Sequence, residues 1–355
     1  MYGLRGGGLR RGISLQTNRV TSMNQDIITL DYGSGGRKTA QLIDELLLPA
    51  FQSDTLNALG DGAVLDLSGP LVFSTDSFVV SPLFFPGGDI GKLSVCGTVN
   101  DLAMCGGIPR YLSLSFIIEE GLAVEELKCI ISSIARTARA AGVEIVTGDT
   151  KVVERGRGDG IYINTSGIGT LTYPGLSPDN IREGDAVLIS GSIGDHGATV
   201  MMARNGLLEG SPLSSDCQPL HKLAKAAWSC GGVRVLRDPT RGGVATTLNE
   251  FTEGRNFSIE LEADDLPIHP PVQAACDLLG LDPLYCANEG KLLAVVAPDR
   301  AEEVLHALQN TPGGEEAAVI GRVTGRAPGK VILNTFLGAG RVLSKLTGAQ
   351  LPRIC

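Results

Sequence analysis

The sequence has no apolar run long enough to cross a bilayer. Its best candidates, residues 111–118 and 127–134 of the 355, are short and broken by Ser or Lys, whereas a spanning helix needs about 20 apolar residues. A secretory signal is also missing, because residues 1–22 carry four arginines but no apolar block of roughly 7–15 residues. We therefore expect no membrane attachment, a cytoplasmic location, and a disordered extension over residues 1–22.

Positive charge is in deficit, with 30 Lys and Arg against 39 Asp and Glu and a net charge of -9. A protein that holds a phosphodiester backbone needs a positive field, so nucleic acid is not the expected partner. The eight cysteines include no Cys-x-x-Cys pair, which favours reduced thiols over a disulfide framework or a zinc site. We expect the seven internal cysteines to be small buried hydrophobes.

The common nucleotide-binding and hydrolase motifs are missing too. The sequence contains no P-loop, no kinase motif set and no Gly-x-Ser-x-Gly elbow, and its four histidines are far apart. Serine hydrolase chemistry is therefore unsupported. A bound nucleotide would have to be held in another way.

Strand and helix patterns alternate along the chain, which carries 47 glycines. The clearest helix is 124–141, where apolar residues recur at helical spacing, Glu125 and Glu126 occupy the first turn, and Gly142 follows as a cap. The segment 173–185 is rich in Pro and Gly and breaks the rhythm. We predict an α/β domain over 23–172, an α+β domain over 173–336, and a flexible tail over 337–355.

Several aspartates stand in short turns beside predicted strands. They are Asp61, Asp76, Asp101, Asp149 and Asp238. Oxygen ligands of this kind suit Mg²⁺ that is bound together with phosphates. The alternative is that Asp-Gly and Asn-Asp pairs are ordinary turn formers.

Two glycine-rich turns precede predicted helices, at 33–36 and at 240–243. Free amides at a helix N-terminus can hold an anion. In the second turn Arg241 adds a side chain suited to bidentate phosphate contact. A flexible loop and a surface turn remain the respective alternatives.

The last residue is a cysteine, Cys355. An exposed terminal thiol adds nothing to a core and is a chemical liability. It cannot be a prenylation site, since that signal places its cysteine four residues from the end. A tail of this length can reach a distant pocket on its own protein or on another.

These motifs resemble those of one known family. The matching segments are Gly33–Gly36, Phe73–Ser77, Gly148–Val153, Gly194–Ala198, Thr240–Val244, Ala287–Lys291 and Pro352–Cys355. Together they closely resemble the HypE family of hydrogenase maturation carbamoyl dehydratases over residues 24–355. The resemblance implies a fold similar to aminoimidazole ribonucleotide synthetase, with two domains, nucleotide in the cleft between them, and an N-terminal sheet that pairs with its twin in a homodimer.

The resemblance also implies a function. Cys355 would receive a carbamoyl group from a partner carbamoyltransferase, and ATP with Mg²⁺ would drive dehydration of the S-carboxamide to an S-cyanate. The cyanide would then pass to iron on a maturation scaffold and become a ligand of the [NiFe] hydrogenase centre.

The motif match also assigns residues to tasks. Lys151 and Glu289 are the candidates for activating the carboxamide, although Lys151 as a phosphate counter-ion and Glu289 as a structural ion-pair partner stay open. Arg241 and His196 are candidates for tail or phosphate contacts, and a structural role for His196 is the alternative. The implied metal ligands are Asp61, Asp76, Asp101 and Asp238, and the implied nucleotide contacts are Asp61, Asp76, Lys92, Asn100, Asp101, Asp149 and Arg241.

Two other functions are compatible with the sequence. A non-catalytic carrier would use the tail to present a cysteine, but it would have no physical reason to keep the aspartates, Lys151 and Glu289. A synthetase with a diffusible substrate would turn over without Cys355. The related function of selenophosphate synthesis is disfavoured, because no cysteine lies near the Gly33–Gly36 loop, where selenophosphate synthetases commonly carry Cys or selenocysteine.

Overall fold

Helical and extended segments alternate from the first described residue onward. The structure is a computed structural model, and it describes residues 27–335, 338–345 and 353–355. The predicted extension over 1–22 lies outside the described residues, and so do parts of the predicted tail over 337–355. Within the described part, no helix has the length and apolar character to cross a membrane.

The first half of the chain builds a four-stranded sheet in the order β1-β6-β4-β5, in which only β4 and β5 run parallel. Side chains of β6 alternate between buried and partly exposed, which is the pattern of a sheet covered on one face. Its elements are α1 (Arg37–Leu42), α2 (Leu48–Phe51), α3 (Asp54–Asn57), β1 (Leu71–Phe78), β2 (Phe84–Phe85), β3 (Gly88–Asp89), α4 (Ile90–Met104), β4 (Gly107–Glu119), α5 (Val124–Ala141), β5 (Glu144–Val153) and β6 (Ile161–Leu171).

Helix α5 is the predicted amphipathic helix, and the structure confirms its bounds. Its apolar positions are buried, and Gly142 ends it in the left-handed region with φ 69°. The helix predicted after the glycine-rich turn at 33–36 is interrupted, because a π-helical turn, Ile43–Leu47, separates α1 from α2. Pro49 explains the interruption, since it has no N–H to donate and its ring would clash with the carbonyl one turn earlier.

Helix α4 lies between the first sheet and the second half of the chain. It contacts β1 and β6 on one side and α7 (His221–Ser229) and β8 (Val233–Arg237) on the other. Almost all of its residues are buried. A helix that is buried all round has no polar face, so its sequence carries no amphipathic period and it was not predicted.

The second half builds a seven-stranded sheet in the order β13-β12-β9-β11-β7-β10-β8. All its pairs are antiparallel except β9 with β12. Apolar clusters cover both faces, one with α8 and the other with α7 and α10. The remaining elements are β7 (Ala186–Ile189), α6 (Asp195–Arg204), α8 (Gly243–Thr252), β9 (Ser258–Glu262), α9 (Pro270–Leu279), β10 (Leu293–Val296), α10 (Ala301–Gln309), β11 (Ala318–Thr324), β12 (Val331–Asn334) and β13 (Gly340–Leu343).

All eight cysteines are free thiols. The expectation that the internal ones are buried is right for Cys96, Cys217, Cys276 and Cys286. It is wrong for Cys105 and Cys129, which are exposed, and Cys230 is only partly buried. Cys105 follows the last residue of α4 and Cys129 lies on the exposed face of α5.

Candidate active site

A cleft of about 720 Å³ lies where α4, the end of β1 and the turn between β8 and α8 meet. We call it the tail cleft, because the last three residues of the chain line it. Its charged and reactive lining consists of Asp76, Asp101, Arg237, Asp238, Arg241, Glu250, Glu289, Lys345, Arg353 and Cys355. The cleft thus gathers side chains from both halves of the fold.

Three of the predicted metal ligands converge there. Asp76 stands on β1, Asp101 stands on α4 and Asp238 follows β8. Burial and the nearby Asp101 carboxylate raise the pKa of Asp238 to about 7. Burial also raises the pKa of Asp76 and of Asp101, although Ser74 donates a 2.6 Å hydrogen bond to Asp101.

The three carboxylates fit a Mg²⁺ ion that is shared with phosphate oxygens. No salt bridge joins a described Lys, Arg or His to Asp76, Asp101 or Asp238. Arg237 and Arg241 oppose the rise of their pKa values from a longer distance and do not cancel it. Among the residues with a described position, no three acidic, His or Cys side chains form a ready-made metal cage. A Mg²⁺ ion here would therefore need phosphate oxygens of a substrate in addition to the carboxylates, as is common for Mg²⁺ in proteins.

Glu289 is the most isolated carboxyl group of the cleft. It is 2% exposed, and its Oε1 has no hydrogen-bond partner within the described residues. Burial raises its pKa well above the ordinary value, and Cys217 and Asp238 act in the same direction. No Lys, Arg or His of the described chain forms a salt bridge with Glu289, so the alternative of a structural ion pair has no support.

Cys355 brings its thiol to the same cleft. The Nη2 of Arg241 lies 3.6 Å from the Sγ atom. Burial raises the pKa of Cys355 to about 12, and the Glu289 carboxyl adds to the rise while Arg241 opposes it. The docked thiol is therefore protonated and protected at neutral pH.

The end of the tail is held by its backbone. The Nη2 of Arg204 donates to the carbonyl of Arg353 at 2.7 Å, and Ser81 N–H donates to the same oxygen at 3.3 Å. The Nε2 of His196 donates to the carbonyl of Ile354 at 2.9 Å. Burial lowers the pKa of His196 to about 4, so the ring is neutral. Its contact is with the backbone of the tail, and its role stays a prediction.

Lys151 and Asp149 are not in the tail cleft. They pair with each other, with Lys151 Nζ 2.6 Å from Asp149 Oδ1, and this lysine lowers the pKa of Asp149. Both line a second cavity of about 310 Å³ with Gly33, Gly35, Thr39, Gly60 and Gly62. We call it the glycine cleft. Asp61 is exposed in the loop between Gly60 and Gly62, and it does not line the tail cleft with the other predicted metal ligands.

Two predicted nucleotide contacts also lie elsewhere. Asn100 is buried. Its Oδ1 accepts from Leu220 N–H at 2.7 Å, and its Nδ2 donates to the carbonyl of Gln218. Its side-chain amide therefore joins α4 to the chain before α7. Lys92 donates to the carbonyl of Gly87 at 2.8 Å and faces a different cavity, together with Asp216 and Lys291. Neither residue lines the tail cleft within the described chain.

Residues that hold the tail were missed by the sequence analysis. Arg204, Ser81 and Asp159 contact the tail, the last through a 2.7 Å bond from the guanidinium of Arg353. Most of these contacts use backbone carbonyls, which any sequence supplies. No motif could have revealed them, because the partners are more than a hundred residues apart.

The comparisons with known proteins agree with this architecture. Residues 59–171 match the family described as AIR synthase related protein, N-terminal domain, and residues 182–334 match the corresponding C-terminal domain. The carbamoyl dehydratase HypE of Azotobacter vinelandii is 49% identical over 332 residues, which is 92% of this chain and 97% of that protein.

Two solved structures are equally informative. The crystal structure of hydrogenase maturation protein HypE in complex with ATP has a TM-score of 0.88 and 50% identity, and covers 92% of this chain and 99% of that one. The crystal structure of a HypE-HypF complex has a TM-score of 0.75 and 47% identity, and covers 86% of this chain and 99% of that one.

Fold and site together define a two-domain protein of the AIR synthase-related class. Within that class, the chain belongs to the HypE family of carbamoyl dehydratases, the hydrogenase expression/formation proteins. The resemblance inferred from the motifs is therefore confirmed, together with the fold class that it implied. The roles of the individual site residues stay predictions.

Proposed function

We propose that this chain is an ATP-dependent dehydratase that acts on a carboxamide carried by its own Cys355. The observation that carries the proposal is the position of the Cys355 thiol, in one cleft with Arg241, Glu289 and three aspartates. The tail of the chain then delivers the substrate to the cleft of the same chain. ATP is the expected co-substrate, because a close relative has been solved with it.

The reaction needs oxygen to leave carbon as phosphate. The carboxamide oxygen attacks the γ-phosphorus of ATP, ADP departs, and nitrogen loses one proton. Nitrogen then loses its second proton as phosphate leaves with the former carboxamide oxygen, and a nitrile remains on sulfur. The net change converts the S-carboxamide and ATP to S-cyanate, ADP and phosphate.

Glu289 is placed to take the protons from nitrogen. A carboxyl with a raised pKa is a stronger base than an exposed one when it is ionised, and Oε1 has no described partner that would compete for the proton. Arg241 faces the sulfur and can oppose charge that develops on the phosphorylated carboxamide. Asp76, Asp101 and Asp238 would hold Mg²⁺, which neutralises phosphate charge when it is bound.

A homodimer formed by pairing of the first sheets would give Lys151 a place in this reaction. The outer face of the first sheet exposes Leu71 by 48%, Phe73 by 67% and Ile117 by 45%, and a second copy of the sheet would cover this apolar face. Lys151 is the register partner of Ile117 on β5, so it lies on the same face. Pairing of two sheets would bring this lysine, and Asp149 with it, into the interface.

Two partners complete the proposal. A carbamoyltransferase loads Cys355, in agreement with the solved complex of a relative with HypF. An iron-carrying maturation scaffold accepts the cyanide for the [NiFe] hydrogenase centre. The location would be cytoplasmic, where the unpaired thiols stay reduced.

Intact mass spectrometry tests the dehydratase directly. The protein is incubated with the carbamoyltransferase and carbamoyl phosphate, and ATP is added afterwards. We expect the gain of one carbamoyl group and then the loss of one water, both absent from the matched variants Cys355→Ala and Cys355→Ser. ATP turnover without any change at Cys355 would instead support a diffusible substrate, and loading without water loss would support a carrier.

The homodimer has a separate test. Sedimentation velocity should give a dimer for the natural sequence and a monomer for Phe73→Glu, since a charge would then be buried in the paired sheets. The matched control is Leu278→Glu, at another exposed leucine that lies on α9. A monomer without any substitution would refute the pairing.

A further inference from the structure

The segment before α7 contacts His196, which holds the tail, and the loop that carries Glu289. Ser215 is its buried hydroxyl, and the Oγ atom lies 2.8 Å from the Nδ1 of His196. The same oxygen accepts from Cys217 N–H at 3.1 Å. Ser215 N–H donates to the carbonyl of Pro86 at 2.8 Å, so this serine is fixed from three directions.

The donor and acceptor groups determine the direction of the two hydrogen bonds that His196 makes with Ser215 and with the Ile354 carbonyl. The carbonyl of Ile354 can only accept, so the Nε2 of His196 must carry the hydrogen. The ring is neutral because its pKa is low, and Nδ1 must therefore accept from the hydroxyl of Ser215. The chain of donors runs from Cys217 N–H through Ser215 and His196 to the carbonyl of Ile354.

The residues that follow Ser215 are clamped to the Glu289 loop. The carboxylate of Asp216 accepts from the backbone N–H groups of Glu289 at 3.1 Å and Gly290 at 3.2 Å. Gln218 N–H donates to the carbonyl of Glu289 at 3.3 Å, and its side chain donates to the carbonyl of Gly290 at 2.9 Å. The turn at 215–218 is thus held in a fixed position relative to Glu289.

The approach of the two segments is close enough to demand a glycine. A Cβ atom on Gly290 would lie 1.7 Å from the carbonyl oxygen of Asp216. The backbone of the Glu289 loop therefore rests directly on the segment that supplies Ser215. Any displacement of the Ser215 hydroxyl relative to Glu289 is restricted by this contact.

We propose that Ser215 is a positioning residue, which orients His196 so that its Nε2–H holds the Ile354 carbonyl and seats Cys355 beside Glu289. Its hydroxyl fixes both the tautomer and the plane of the imidazole ring. Ser215 belongs to a turn that is hydrogen-bonded to the Glu289 loop. The same set of contacts therefore fixes the position of the tail relative to the Glu289 carboxyl. The proposal rests on the proposed function in taking Cys355 as the group that reacts and Glu289 as the base.

Thiol labelling measures the seating without ATP or loading. The docked Cys355 has a pKa of about 12, whereas a released tail returns to an ordinary thiol with a pKa of about 8.5, so alkylation by iodoacetamide at pH 8 reports the released fraction. Peptide mass spectrometry follows Cys355 against the exposed Cys105 and Cys129 as internal references. The buried Cys276 and Cys286 report general loosening of the fold.

The variants are Ser215→Ala, Ser215→Thr and, as a matched control, the exposed neighbour Ser214→Ala. Loss of one buried hydrogen bond should accelerate labelling of Cys355 about three- to tenfold in Ser215→Ala. The threonine variant keeps the hydroxyl and should restore protection to within about twofold, and the control should not change it.

Three results would overturn the proposal. Labelling of Cys355 that is unchanged in Ser215→Ala would show that the hydroxyl does not seat the tail. Equal acceleration in Ser215→Thr would assign the effect to packing. Parallel acceleration at Cys276 and Cys286 would assign it to general loosening. Failure of the dehydratase itself would appear separately, as the absence of water loss from the loaded natural protein.

Discussion

The substitution Asp238→Asn should stabilise the protein in the absence of nucleotide and Mg²⁺. Asp238 is 5% exposed and stands close to the Asp76 and Asp101 carboxylates, which together with burial raise its pKa to about 7. At alkaline pH the folded protein must therefore bury the charge of the ionised Asp238 carboxylate, whereas in the unfolded chain this carboxylate is hydrated. Asparagine removes this charge with almost no change of volume.

The pKa gives the magnitude and the sign. An unfolded aspartate titrates near 3.9, and each unit of difference is worth 1.36 kcal/mol, so the ionised Asp238 costs about 4 kcal/mol at pH 8. The folded pKa is raised, so the stability contributed by the proton is present below the unfolded pKa and is lost as pH rises towards about 7. The advantage of the variant should fall to about 1.5 kcal/mol at pH 5 and to about 0.5 kcal/mol at pH 4.

Urea unfolding at pH 8 and pH 5 measures this difference. The single tryptophan, Trp228, is buried and stacks on Tyr173 with ring centroids 6.1 Å apart, so its fluorescence follows loss of the packing between the two halves. We expect a higher midpoint for Asp238→Asn at pH 8 and a smaller gain at pH 5. The matched control is Asp264→Asn, at an exposed aspartate, which should leave both midpoints in place.

With Mg²⁺ and ADP present, the natural protein should have a higher urea midpoint than Asp238→Asn at pH 8. The ligand should raise the midpoint of the natural protein at pH 8, because a cation relieves the repulsion among the carboxylates, and it should do little for Asp238→Asn. A variant that is less stable than the natural protein at pH 8 would refute the electrostatic reasoning. An equal gain at both pH values would do so as well, because titration of Asp238 could not then be the cause.

Three more substitutions test the candidate base and the residues that hold the tail and the Glu289 loop in position. Arg204→Ala removes a charge-assisted hydrogen bond to the tail and should accelerate labelling of Cys355 about tenfold; unchanged protection would contradict this role. Glu289→Gln should lower the rate of water loss from loaded protein at least about a hundredfold while loading persists, whereas a normal rate would exclude Glu289 as the base. Gly290→Ala should lower the urea midpoint, because its Cβ would meet the Asp216 carbonyl oxygen at 1.7 Å, and an unchanged midpoint would show that the contact relaxes freely.

The fold class and the family could be predicted from local patterns in the sequence. Helix α5 could be predicted because its apolar residues follow the helical period and its caps are local. The family resemblance came from short ordered motifs, including the turn around Arg241, the segment with Glu289 and the final Cys355. Such motifs are readable because each one occupies consecutive positions.

Helix α4 and the last strands could not be predicted for a physical reason. Helix α4 is buried on all sides and shows no amphipathic period, and β12 and β13 are short segments between Gly- and Pro-rich turns. Their structure depends on the layers that cover them. Local propensity does not contain that information.

The sequence by itself determined which chemical groups the protein has: a terminal thiol, a set of aspartates, and the candidate pair Lys151 and Glu289. Tertiary structure alone decided which of them meet. It gathers Asp76, Asp238, Glu289 and Cys355 in the tail cleft and leaves Lys151 on the outer face of the first sheet. The reason is that contacts such as that of His196 with the Ile354 carbonyl join residues 158 positions apart, a proximity that only the packing of both halves of the fold creates.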